Sequence, residues 1–117
     1  MHGKTRDAII ATLKADPALA ALRRSLDAYY GDPAREGAMD RLYGRFIRPG
    51  DFAIDIGSHV GDRIASFRRL GARVVALEPQ PDCARVIRAI HESDRHVKLI
   101  QAAWKAQIKD ASGKALY

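Results

Sequence analysis

The stretch that most constrains this chain is Phe52-Ala-Ile-Asp-Ile-Gly-Ser-His-Val-Gly61. An apolar run, Phe52 to Ile56, carries one carboxylate, Asp55, and ends in a loop with glycines at 57 and 61. A helical pattern follows, then a second apolar run, Arg73 to Leu77, capped by Glu78 and Pro79. Strand, glycine loop, helix, strand and acid is the layout of a nucleoside-binding βαβ unit. The glycines let backbone N–H groups approach a ligand where a Cβ would collide. An acid at the tip of the second strand can accept hydrogen bonds from both hydroxyls of a ribose. Glu78 lies 21 residues after Gly57, close to the ~20 expected of such a unit.

The loop also discriminates between nucleosides. A dinucleotide fingerprint packs its glycines as G-x-G-x-x-G for a pyrophosphate. Here Asp55 stands two residues before Gly57, and the next glycine is Gly61. A carboxylate aimed into that turn repels a pyrophosphate and suits a ligand with a cationic end. The pattern therefore favours S-adenosyl-L-methionine over NAD. In that reading the N-terminus of the helix after Gly61 offers N–H groups to the methionine carboxylate, and Asp55 attracts the ammonium. The alternative is that Asp55 caps the loop and Gly57 only makes a turn.

Three segments, 48–61, Val74-Val-Ala-Leu-Glu-Pro79 and Leu99-Ile-Gln-Ala-Ala103, resemble the FkbM-type family of S-adenosylmethionine-dependent methyltransferases. The likeness runs from about Leu42 to Ala103. It implies an α/β, Rossmann-like class I methyltransferase fold, and methyl transfer, usually to oxygen of a small molecule or sugar. Asp55, Gly57 and Gly61, with Ser58 and His59 inside the loop, match the first cofactor motif. Glu78, followed by Pro79, matches the ribose-binding acid. Ala102 and Ala103 fall where the family places the adenine ring. The family often has Ala-Asn where this chain has Ser58-His59. Its middle and later strands, which carry much of the acceptor site, have no counterpart before Tyr117. The resemblance thus implies a truncated fold, the N-terminal cofactor-binding half, and it supplies no catalytic residue.

With 117 residues, one domain is the upper bound. The expected divisions are an N-terminal helical segment over 1–49, a cofactor-binding βαβαβ unit over 50–103 and a tail over 104–117. The three strands should be parallel in the order 3-2-1, with right-handed connections. Phe52 to Ile56 reads as a strand covered on both faces. Asp16-Pro17 and Asp32-Pro33 each restart a helix, Asp as N-cap and Pro at the first helical position. The first helix covers Thr5 to Ala15, the second reaches about Tyr30 and the third about Phe46. These helices read as packing for one sheet face, or as a wall over the cofactor that Tyr29, Tyr30 and Tyr43 could reach. The helix from Asp62 to Leu70 should turn Ile64, Phe67 and Leu70 to the sheet and Arg63, Arg68 and Arg69 to water. In the tail, the first part is mildly helical, Ser112-Gly113 is a turn and Ala115 to Tyr117 could begin a strand.

The net charge of +6 and pI near 9.8 permit acidic partners. However, the arginines are interleaved with acids, as on solvated helix faces, and aromatics do not alternate with them. Nucleic acid is therefore not an expected partner, and a small-molecule acceptor is. The single cysteine, Cys83, excludes an internal disulfide and reads as a core residue. His2, His59, His91 and His96 have no metal-ligand spacing; His91 and His96 flank a polar loop and read as solvated. His59 is a candidate cofactor contact or base, or a simple loop filler. No apolar run approaches a membrane span, and the N-terminus lacks a signal-peptide pattern, so a cytoplasmic setting and no membrane contact are expected. A first strand left at a sheet edge invites self-association. The competing functional class is a non-catalytic Rossmann-like module that binds a nucleoside or a protein.

Overall fold

Two parallel connections set the architecture. In the computed structural model, which describes residues 5–103 and Ser112, β1 (Phe52–Ile56) leads through α4 (Asp62–Arg69) to β2 (Arg73–Leu77). From there α5 (Pro81–His91) leads to β3 (Val97–Ile100). The strands are all parallel in the order β1-β2-β3, which is the expected 3-2-1 read from the other edge. Phe52 pairs with Arg73 and Ile56 with Leu77, while Val74 pairs with Val97 and Leu77 with Ile100. The expected tail over 104–117 lies, apart from Ser112, outside the described residues.

The helical segment precedes the sheet in sequence and forms the outermost layer. α1 (Arg6–Ala15) starts at Thr5, whose side chain accepts from the Ala8 N–H. Asp16 caps the next turn through the Ala18 N–H. The expected single helix from Pro17 to Tyr30 is instead a 3-10 stretch, Pro17–Leu22, bent at Leu19, followed by α2 (Arg23–Tyr30). The bend seats Leu19 and Leu26, both fully buried, in one cluster with Ile10, Leu13, Val60 and Val86. Straight amphipathic spacing would not register that adjustment. α3 (Pro33–Tyr43) is capped by Asp32, which accepts from Ala34 and Arg35. It stops at Tyr43 rather than Phe46, and Phe46 is left exposed.

Strand alternation divides the sheet sharply. Ala53, Asp55, Val74, Ala76, Val97 and Leu99 face the helices, and the apolar residues among them pack with Ile64, Phe67 and Ile87. The opposite face carries Phe52 and Ile54, each 59% exposed, with Ile56 and Ile100 also exposed. This corrects the expectation that β1 is covered on both faces. Two successive connections of one hand place α4 and α5 on the same side. Among the described residues nothing covers the other side, and the outer edge of β1 has no strand beside it. The expected self-association would use this apolar surface and edge.

Candidate functional site

The three strands end together, and the candidate residues collect there. Asp55 is in register with Ala76, two residues before Glu78, so both carboxylates belong to the helix-bearing face. Asp55 is 4% exposed and Glu78 5%. The Glu78 N–H continues the ladder to the Ile100 carbonyl at 3.1 Å, which brings Ala102 and Ala103 to the same edge. Ala102 donates back to Ile100 at 2.9 Å. Pro79 is exposed beside them.

The loop is fixed by its own backbone. Gly57 and Ser58 both donate to the Leu77 carbonyl, at 2.8 and 3.2 Å, and Gly61 donates to Ser58 at 2.9 Å. Gly57 and Gly61 have φ of +71° and +84°, the region that excludes most side chains. A Cβ on Gly57 would meet nothing within 4 Å; on Gly61 it would lie 3.2 Å from Ile87 Cγ1 and 3.4 Å from the Tyr30 hydroxyl. Gly57 therefore borders open space, whereas Gly61 is packed between the helices. His59 also has positive φ, +55°. Its N–H donates to Glu78 Oε1 at 2.7 Å, and Gln80 donates to Oε2 at 2.9 Å. Glu78 thus braces the loop while each of its oxygens keeps a further lone pair.

Ser58 faces inward. Its fully buried hydroxyl donates to the Asp55 carbonyl at 3.0 Å, so its side chain serves the turn. Asp55 has two different oxygens. Oδ1 accepts from Arg63 Nε at 2.7 Å, whereas buried Oδ2 has no partner among the described residues. Arg63 also donates to the Gly57 carbonyl at 2.9 Å. This corrects the expectation that Arg63 and Arg68 face water; Arg69 is exposed as expected. Burial works against charge on Arg63, and the Asp55 carboxylate outweighs it, raising the guanidinium pKa. Arg68 binds Asp94 and the Ala72 carbonyl, and Arg69 grips Asp40. The sequence shows these arginines on the helix but not the distant acids that they bind.

The helical segment reaches the site as well. The buried Tyr30 hydroxyl donates to the Val60 carbonyl at 2.7 Å, tying α2 to the glycine loop. Tyr29, Tyr43, Arg35, Met39, His59, Asp62 and Arg63 line a cleft of about 200 Å³ between the helical segment and the loop. Replacing Tyr30 by Phe is expected to cost about 1–3 kcal/mol, the range for leaving a buried carbonyl unpaired. Urea unfolding checks this, and a loss below 0.5 kcal/mol would remove the tie.

His91 does not sit in solvent as expected. It turns against the loop, near the position a Gly61 Cβ would occupy, and its buried Nε2 lacks a hydrogen-bond partner among the described residues. Burial lowers its pKa, with the Gly61 backbone and Asp94 working the other way and Arg68 and Arg6 reinforcing the fall. A histidine depressed in the fold contributes stability above its unfolded pKa, and loses it as pH falls through the folded value. Unfolding free energy should therefore decline from pH 7.5 towards 5, and His91→Gln should flatten that decline. Equal slopes for both proteins would contradict it. Cys83 is buried on α5, and burial, followed by Glu78 and Asp82, raises its thiol pKa; it behaves as the expected core residue. Among the described residues no cluster of three or more His, Cys, Asp or Glu could hold a metal ion, and no helix is long and apolar enough to cross a membrane.

Comparison with known proteins gives no matching family model and no matching curated sequence. Solved structures do match. A Pyrococcus horikoshii protein assigned as an RNA methyltransferase superposes with a TM-score of 0.53 at 17% identity, over 65% of this chain and 42% of that one. A Methanococcus maripaludis protein assigned as an S-adenosyl-L-methionine-dependent methyltransferase gives 0.52 at 15% identity, over 87% and 45%. Mycolic acid cyclopropane synthase in its apo form gives 0.53 at 18% identity, over 86% and 39%. The chain thus spans less than half of the length of these structures. At such identities the likeness speaks to architecture alone: the chain shares with these structures a Rossmann-like α/β fold, represented by three parallel strands and their helices.

Proposed function

We propose that this chain binds S-adenosyl-L-methionine and carries the cofactor half of a methyltransferase, with oxygen of a small molecule or sugar as acceptor. One observation supports the reading above others. Two buried carboxylates, Asp55 and Glu78, flank an open, positive-φ glycine at the carboxyl ends of neighbouring strands. In open α/β sheets, ligands bind in the crevice outside the carboxyl ends of the strands. The residues fit the cofactor: Asp55 Oδ2 is buried and unpaired, and a cationic ammonium would satisfy it. Glu78 would accept from the ribose hydroxyls, and the space beside Gly57 would admit the ligand. Ala102, Ala103 and Pro79 would border the adenine side. Bound there, the sulfonium would supply an electrophilic methyl group.

His59 donates its backbone N–H to Glu78, and its ring meets Tyr29 edge-on at 6.0 Å. No carboxylate among the described residues orients that ring as a base, so its part is loop geometry and cofactor contact. Titration calorimetry with S-adenosylhomocysteine tests the proposal. Micromolar binding that weakens at least tenfold in Asp55→Asn and in Glu78→Gln is the expected result. A folded protein that takes up no heat would overturn it. The second reading, a non-catalytic module, draws on the fact that Arg63, His59 and Gln80 already engage the two acids. In that case both variants lose stability without any ligand to lose.

A further inference from the structure

Arg35 is the charged group in this cleft whose guanidinium has no hydrogen bond. It projects from α3 over the ring of Tyr29, its guanidinium carbon 4.5 Å from the centroid. Its nearest acid is Asp62, at 4.0 Å, too far for a hydrogen bond. Among the described residues the side chain finds no other partner. Arg63, the second cation of the cleft, is taken by Asp55 and the Gly57 carbonyl. A stacked guanidinium with its donors unengaged is prepared for a planar anion, and carboxylate matches its fork in two bonds.

The sequence alone points instead to the N-terminus of α4 as the carboxylate site. The structure argues against that end acting unaided, because the buried side chain of Asp62 stands in the first turn of α4 and repels a second anion. Arg35 is the cation that offsets Asp62. A chain of contacts joins the cleft wall to Glu78, which does not itself line the cleft: Glu78 holds the His59 N–H, the His59 ring meets Tyr29, and Tyr29 carries Arg35.

We infer that Arg35 anchors the carboxylate of an amino-acid zwitterion whose nucleoside end is held at Glu78, with Asp55 Oδ2 taking the ammonium. The helical segment is then part of the ligand site rather than only a packing layer. This assignment rests on the nucleoside reading above.

The test compares two ligands by calorimetry on the full chain. S-adenosylhomocysteine carries the amino-acid end, and 5′-methylthioadenosine lacks it. Arg35→Ala should weaken S-adenosylhomocysteine about 10- to 100-fold, the range for losing charged hydrogen bonds. It should leave 5′-methylthioadenosine within twofold. Arg35→Lys should restore part of the loss. Arg35 is exposed on a helix surface, so alanine there spares the fold. If both ligands bind the wild type and Arg35→Ala changes neither, or changes both alike, the Arg35 assignment falls and the nucleoside site stands. If a folded wild type binds neither ligand, the nucleoside reading falls and the assignment with it.

Discussion

Glu78→Ala should lower the unfolding free energy by about 2–3 kcal/mol, more than an ordinary surface change by a wide margin. Two charge-assisted hydrogen bonds end on this carboxylate, from His59 at 2.7 Å and from Gln80 at 2.9 Å. Removing it leaves the His59 amide without a partner in a part-buried loop, at a cost of about 1–3 kcal/mol. His59 holds a φ of +55°, a conformation costing a non-glycine residue about 1–2 kcal/mol; Glu78 offsets that strain, and without it the loop is free to relax. Gln80 is exposed, so water can replace its bond and it adds little. Glu78→Gln should fall between, because one end of the amide turns a donor towards a donor. Chemical denaturation of the three proteins checks the series. A loss below 0.5 kcal/mol for the alanine variant would mean that the loop does not depend on this acid.

The second large effect separates the two glycines of the loop. Gly61→Ala should cost about 2–3 kcal/mol, from left-handed backbone strain together with crowding against Ile87 and the Tyr30 hydroxyl. Ligand affinity in the molecules that still fold should change little. Gly57→Ala should cost only about 1 kcal/mol, since its new methyl meets nothing within 4 Å. It should weaken S-adenosylhomocysteine at least tenfold, because that methyl enters the space proposed for the ligand. Thermal unfolding and calorimetry on both variants give four numbers. Reversal of the pattern, with Gly57→Ala harming stability and sparing affinity, would mean that the open space beside Gly57 is not a ligand site.

Local signals carried most of the backbone. Asp16 and Asp32 cap where the Asp-Pro pairs place them, and the apolar runs at 52–56 and 73–77 are the first two strands. What one sequence could not show is where long side chains go once distant elements meet. Arg63 reads as a solvent residue because of its charge, although it stands one turn before Phe67 on the same side of α4, and from there its guanidinium reaches Asp55. His91 reads as loop polarity, and only the packing of α5 on the glycine loop buries it. The coverage of β1 failed for a different reason. An apolar run shows that a strand can be buried on both faces, whereas the layers present decide whether it is. Both connecting helices fall on one side, so Ile54 and Ile56 stay bare. In the site, Asp55, Gly57, Gly61 and Glu78 were readable because their chemistry is local to two strand ends. Tyr30 was legible only as a tyrosine able to reach the site, and Arg35 and Arg63 were not, since nothing in their spacing names their partners.

In the proposed function, Asp55, the glycine loop and Glu78 form one receptor for an adenosyl compound. Amide chemical-shift mapping with S-adenosylhomocysteine addresses it most directly. The largest shifts should fall on Gly57, His59 and Gly61, with a second group at Gln80 and Ala102, at the tips of all three strands. Saturable shifts confined to the bare sheet face of Phe52, Ile54 and Ile56, with the loop amides unmoved, would contradict the account.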